Sequence, residues 1–207
     1  MSVHAIGTPL ITNSDGTKFG KSEGNAIWLD ASMCSPYAMY QFWLNTDDAD
    51  VVERLKVFTF LTRDEIEHYA QLVADEPFRR AAQRRLAYEV TGLVHGEDAV
   101  RAAIAASSAL FGQGDLAELD AATLRAAVAE LPGAEVSADE TVVSALVATG
   151  LCSSASDARR AIAQGGVSLN NAKVESDDQL LGEPTLAGGL AVLRRGKKTL
   201  AGLRYRE

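Results

Sequence analysis

Lys18-Phe19-Gly20-Lys21-Ser22 places two lysines around one glycine. The run follows Asn13-Ser14-Asp15-Gly16, a turn signal at the end of an extended apolar stretch from Val3 to Ile11. Two cations on a flexible glycine loop can close over the phosphates of a nucleotide. There they neutralise the charge that develops as pyrophosphate leaves. On five residues alone, the competing reading is a solvated hairpin tip.

A second set of cations lies near the end of the chain. Between Gly188 and Arg206 there are six basic residues and no acidic one: Arg194, Arg195, Lys197, Lys198, Arg204 and Arg206. Upstream, Arg159 and Arg160 sit side by side on a predicted helix. The whole chain nevertheless carries a formal charge of −8, which excludes a generally basic nucleic-acid binder. A locally cationic segment in an acidic chain fits a protein that meets RNA on one face. The alternative is a turn carrying lysines for solubility.

These groups need elements to position them. The 207 residues suffice for one large domain or two small ones, and 47% apolar content supports a real core. No apolar run reaches the ~18–20 residues needed to span a bilayer, and no secretory pattern opens the chain. Cys34 and Cys152 are expected as buried small residues in a reducing cytoplasm. His4, His68 and His95 have no ligand spacing, so no metal is expected.

Residues 1–34 read as an extended segment, a turn, the lysine loop and a short apolar stretch, too little to form a domain. From Ser35 the period turns helical. Ser35 can cap a helix beginning at Pro36, Asp47 or Asp48 the next, and Thr62-Arg63-Asp64-Glu65 is a capping box. Residues 78–94 form a long helix with Arg79, Arg80, Arg84 and Arg85 on a solvated or salt-bridged face. Two further helices, 97–111 and 120–131, complete an all-helical domain over 35–131. Leu131-Pro132-Gly133 then breaks the pattern, making 132–138 a linker. Residues 139–207 read as a small α+β unit. Ser137-Ala138-Asp139-Glu140 caps its first helix, a helix from about Ala155 to Gln164 follows, and a hairpin turns at Asn170-Asn171. Strands at Leu190 to Arg194 and Thr199 to Tyr205 close it. The fold class is therefore mainly α with a C-terminal α+β unit.

The C-terminal unit resembles the RNA-binding fold named after small-subunit ribosomal protein S-four. The matching residues are Ser156 to Ile162, Gly165 to Asn170 and Val192 to Lys198. That resemblance implies a basic surface in which Arg159 and Arg160 meet RNA phosphates from the helix, and Arg194, Arg195, Lys197 and Lys198 meet them from the sheet. The lysine run resembles the KMSKS signature of class I aminoacyl-tRNA synthetases. Ser35-Pro36-Tyr37 through Asp47-Asp48, with Phe58 to Leu61, Ala81 to Ala87 and Val94 to Glu97, resembles the anticodon-binding domain of the bacterial tyrosine-specific members. In order, these cover essentially the whole chain. The resemblance implies a ligase that attaches tyrosine to its tRNA. Lys18 and Lys21 would be catalytic, and Lys18, Gly20, Lys21 and Ser22 would contact ATP, which is used with magnesium. Asp47 would read the first anticodon base, its carboxylate accepting from guanine; its competing role is a helix cap. Tyr37, Tyr40, Phe42 and Trp43 are expected in the core.

A member of that family also needs a doubly wound Rossmann catalytic domain with a HIGH-type motif, and none precedes the lysine run. The expectation is a truncated chain or one half of an enzyme. It would be inactive alone, cytoplasmic and monomeric, with tyrosine tRNA and the missing catalytic domain as partners and a homodimeric parent. Two other readings stay open: a non-catalytic S-four-type structured-RNA binder, and a helical protein-interaction module.

Overall fold

The computed structural model describes residues 4–7, 10–14, 16–20 and 27–206. They divide into two compact units. The first comprises residues 1–35 and 39–96, the second residues 36–38 and 97–207.

The first unit opens on the lysine hairpin, bridged between Thr12 and Lys18. Helix α1 (Pro36–Leu44) starts at proline, where a missing N–H costs nothing. It leads to α2 (Asp48–Phe58), α3 (Arg63–Asp75) and α4 (Ala81–His95). Thr62 caps α3 reciprocally: its hydroxyl accepts from the Glu65 N–H, and the Glu65 carboxylate accepts from the Thr62 N–H at 2.8 Å. Trp43, Val51, Leu55, Leu86 and Ala87 are buried. Tyr37, Tyr40 and Trp43 are buried as expected, while Phe42 is half-buried.

The helix expected over 78–94 begins later than its pattern. Pro77–Arg79 forms a single 3-10 turn, and Arg80 sits left-handed at φ 49° before α4 starts. Its guanidinium explains why. One Arg80 nitrogen donates to the carbonyls of Leu44 and Thr46, at 2.7 and 3.0 Å. These belong to carbonyls orphaned at the end of α1, so the tie offsets the cost of the strained backbone.

The second unit contains α5 (Glu97–Leu110), α6 (Ala121–Ala129), α7 (Val142–Ala148) and α8 (Ala155–Ala163). Its sheet is built from β1 (Gly133–Val136), β2 (Val167–Leu169), β3 (Ala172–Lys173), β4 (Leu190–Arg195) and β5 (Thr199–Tyr205). The strand order is β1-β5-β4-β2-β3. β1 runs parallel to β5, and the other pairs are antiparallel. Asn170 and Asn171, at φ 48° and 65°, make the tight β2–β3 turn.

Alternation along the strands gives the sheet two covered faces. Ala191, Leu193, Ala201 and Leu203 join Val143, Leu146, Ala158 and Ile162 of α7 and α8 in one core. The opposite face carries Val192, Arg194, Leu200 and Gly202, and α6 lies on it. Gly202 is the point of closest approach: a Cβ there would stand 2.4 Å from Val128 Cγ1 of α6.

Three expectations change. The segment 132–138, read as a linker, contains edge strand β1, whose partner β5 is remote in sequence. Helices α5 and α6, expected in one helical domain over 35–131, group with the sheet unit, because α6 covers the sheet's second face. Helix α7 is capped by Thr141, whose hydroxyl accepts from the Ser144 N–H at 3.2 Å. Ser137 and Glu140 bond one another in the turn ahead of it.

Gly202→Ala should therefore overpack the α6–sheet contact and destabilise the second unit by about 1–3 kcal/mol. A lowered thermal midpoint in a circular-dichroism melt is the expected outcome.

Candidate functional site

The first candidate is the lysine hairpin. Asn13 N–H donates to Thr17 O at 2.8 Å and Phe19 N–H to Ile11 O at 3.1 Å, leaving Lys18 exposed. Gly20 takes φ 73°, a conformation that disfavours a side chain. Lys21 and Ser22 lie outside the described residues.

Phe19 points the other way, into an aromatic cluster. Its ring centroid lies 5.9 Å from Phe42, 5.6 Å from Trp43 and 5.5 Å from Phe58. The Arg54 guanidinium stands 4.7 Å from the Phe19 ring. Arg54, only 7% exposed, also donates to Asn13 Oδ1 at 2.6 Å and to Asp50 Oδ2 at 3.1 Å. Hairpin and helix α2 are thus joined by one buried cation. Nothing in the residue order announced this pairing, since 41 residues separate Asn13 from Arg54.

Between hairpin and helices lies a cleft of about 420 Å³, lined by Phe19, Gly20, Asn45, Thr46, Asp47 and Arg54. Asp47 occupies the N-cap position of α2, yet its side chain makes no capping hydrogen bond and is exposed. The capping role is left unused, and the carboxylate remains open in the cleft. Asp48 instead accepts from Gln83 Nε2 at 2.5 Å. Two arginines of the α4 region make close salt bridges: Arg79 to Glu76 at 3.1 Å, and Arg85 to Glu89 at 2.7 Å.

The second candidate is the cationic corner of the sheet unit. Ser154 caps α8 by accepting from the Asp157 N–H, which places Asp157 in the first turn. Arg195 meets it from β4 as a fork, Nη1 to Oδ2 and Nη2 to Oδ1, both at 2.9 Å. Arg195 Nη1 also donates to Leu151 O at 2.7 Å. The Arg195 hydrogen bond, then the Ser153 N–H, hold the Asp157 carboxyl at about 2, below its ordinary 3.8.

The expected RNA contacts thus differ in what they already hold. Arg195 is bound inside the fold, and Arg160 shares the same carboxylate at 2.9 Å while staying largely exposed. Arg159 pairs with Asp177 at 3.2 Å, both more than half exposed, a pair worth little and readily exchanged. Arg194 donates through Nε to Ser168 Oγ at 3.1 Å. Lys197 and Lys198 are exposed on the β4–β5 turn beside Gly196, at φ 66°. No ion pair holds either lysine among the described residues. No group of three or more potential metal ligands occurs among the described residues, and no helix there is long and apolar enough to cross a membrane.

Comparison with known proteins now bears on both sites. The family described as tRNA synthetases class I (W and Y) matches residues 2–112, more than half the chain. The chain belongs to the class I tRNA synthetases. A second match, a tyrosine–tRNA ligase C-terminal domain, covers residues 123–201. The tyrosine–tRNA ligase of Leifsonia xyli subsp. xyli is 66% identical over 201 residues, which is 97% of this chain and 46% of that protein. That of Streptomyces avermitilis is 54% identical over 96% of this chain and 47% of its own length. That of Corynebacterium glutamicum is 50% identical over 98% and 49%. The chain spans about half the length of these curated relatives. The synthetase match takes in the lysine hairpin and the first helices, so it disfavours a non-catalytic S-four-type binder carrying an unrelated helical passenger.

Asp157→Asn should destabilise this synthetase unit at neutral pH. Because Asp157 titrates at about 2 rather than its ordinary 3.8, its contribution is complete above pH ~4 and disappears as pH falls through ~2. Stabilities of wild type and variant, measured by denaturant titration from pH 6 downward, should converge over that window.

Proposed function

We propose that this chain is the tRNA-recognition portion of a tyrosine–tRNA ligase. The observation that carries the reading is the Gly196-Lys197-Lys198 turn, two exposed lysines without an ion pair among the described residues, beside a corner shared with Arg160. Arg160 and Arg195 hold the same aspartate, so the helix and the turn present their cations together. RNA backbone is the ligand such a corner suits, with each neutralised phosphate releasing counterion. Lys197, Lys198, Arg159 and Arg160 make the contacts in this reading. Arg195 holds the turn against α8, and Arg194 adds its charge from the sheet.

In the first unit, Asp47 reads the first anticodon base through its uncapped carboxylate, which can accept from guanine's N–H groups. Gly20, at the base of the lysine loop, lines the same cleft as Asp47. ATP, used with magnesium, is a substrate of the whole ligase. Lys18 and Gly20, together with Lys21 and Ser22, are the residues that would face its phosphates. Their cations help only while other groups hold tyrosine and ATP in line. The remaining partners are a nucleotide-binding catalytic domain and, in the parent enzyme, a second subunit; this chain by itself is a monomer. The proposed functional domains are the loop segment 1–34, the anticodon-binding region from 35 and the S-four-like unit from 139.

Titration of the purified chain with tyrosine tRNA and with an unrelated tRNA, at low and moderate salt, tests the reading. Tighter, salt-sensitive binding of tyrosine tRNA is expected; equal binding of both would reduce the chain to a general RNA binder. Lys197→Ala combined with Lys198→Ala should lower the slope of log K against log salt by about 2. The chain alone should catalyse no ATP–pyrophosphate exchange, and exchange above background in a tyrosine-dependent assay would refute that expectation.

A further inference from the structure

The sheet unit carries a second group of cations. Arg125 on α6, Arg204 on β5 and Arg206 just beyond it are all exposed, and none forms an ion pair among the described residues. They line one cleft of about 710 Å³, together with Glu135, Gly188 and Gly189. Arg204 belongs to the strand face that α6 covers, because it pairs with Leu190 and not with the α7–α8 set. Arg206 Nη2 donates to the Glu135 carbonyl at 3.3 Å, which fixes the rim.

The cleft's floor is backbone. Gly188 and Gly189 both take positive φ, 77° and 65°. A Cβ on Gly188 would stand 3.3 Å from Arg125 Nη2, so the bare backbone lets that guanidinium lie against the loop. Three guanidiniums share the cleft with one carboxylate. Three like charges against a single carboxylate leave a net positive cleft, so the cluster favours an anion. Free guanidinium forks fit a phosphate in two-point geometry. An acidic protein fits less well, because protein interfaces centre on apolar and aromatic anchors. Here Leu190 is buried and Tyr205, half-buried, is the one aromatic lining residue.

We propose that this cleft is a second RNA-backbone site, in which Arg125, Arg204 and Arg206 grip a phosphodiester. The identity of the ligand rests on the tRNA-binding reading above. Arg204 lies six residues along β5 from Lys198, about 20 Å at strand rise. That length exceeds the spacing of neighbouring phosphates several-fold, so the two sites would touch separate phosphates of one folded RNA.

The test uses the 207-residue chain. Arg125→Gln, Arg204→Gln and Arg206→Gln are combined and titrated with tyrosine tRNA from low to moderate salt. All three side chains are exposed, so a wild-type melting curve is expected. If the combined variant melts early, the three single variants are titrated instead. The expected result is a loss of roughly tenfold or more at low salt, with a slope shallower by about 2 to 3. A lysine triple variant should keep the slope and lose part of the affinity, because the fork is gone but the charge remains. Unchanged affinity and slope in the glutamine variant, with loss only on changing Lys197 and Lys198, would overturn the cleft and leave the turn reading intact. No RNA binding by wild type would overturn both. Polyglutamate that binds wild type but not the glutamine variant, with tyrosine tRNA bound equally by both, would assign the cleft to an acidic protein and overturn the RNA site.

Discussion

The forked pair of Arg195 and Asp157 is the constraint on which the sheet unit turns. Apolar packing of α7 and α8 on the sheet is strong but non-directional, about 25 cal/mol per Å² whatever the rotation. The pair supplies the direction. It ties the last residue of β4 to the first turn of α8 and reaches the Leu151 carbonyl on the way. Asp157 also sits where a helix N-terminus favours negative charge. A residue only 9% exposed can remain ionised because each carboxylate oxygen has a donor. The cationic corner is therefore built by using one of its own cations internally.

The same logic recurs in the first unit. A two-stranded hairpin is marginal alone in water. Here the hairpin is held from below by Phe19 in its aromatic nest and by Arg54, which joins Asn13, Asp50 and the Phe19 face. Lys18, one residue away, stays exposed. Phe19 packs inward while the adjacent Lys18 faces solvent, so the hairpin is fixed at its base without burying that charge.

The sequence revealed local devices well, because their physics is local. Pro36, the Thr62–Glu65 box, the Asn170-Asn171 turn and the strands flanking Gly196 all declare themselves within a few residues. What stayed hidden depends on distant partners. Strand β1 offers one buried residue, Val136, behind a Pro-Gly breaker, and becomes a strand only because β5 lies open beside it. Arg80 delays the start of a helical pattern to satisfy carbonyls 34 and 36 residues away. Nothing in the run Arg194 to Lys198 distinguishes the cation that faces Asp157 from the two that face solvent. That distinction follows from where β4 ends: Arg195 is its last residue, and the lysines lie on the turn beyond it. Arg125 was missed for the same reason: it joins Arg204 and Arg206 only after α6 has packed on the sheet.

Charge placement then accounts for how an acidic chain can present a cationic surface. Residues 188–206 carry six basic residues and no acid, so within a net −8 the acidic excess sits wholly in the rest of the chain. Near physiological salt the screening length is about 8 Å, so exposed charges farther apart than that act independently. The turn lysines and the cleft arginines, about 20 Å apart along β5, are likewise screened from one another. They form separate cationic patches. Two separate contacts on one rigid sheet fix the direction of a bound RNA as well as its position, which a single cationic patch cannot do.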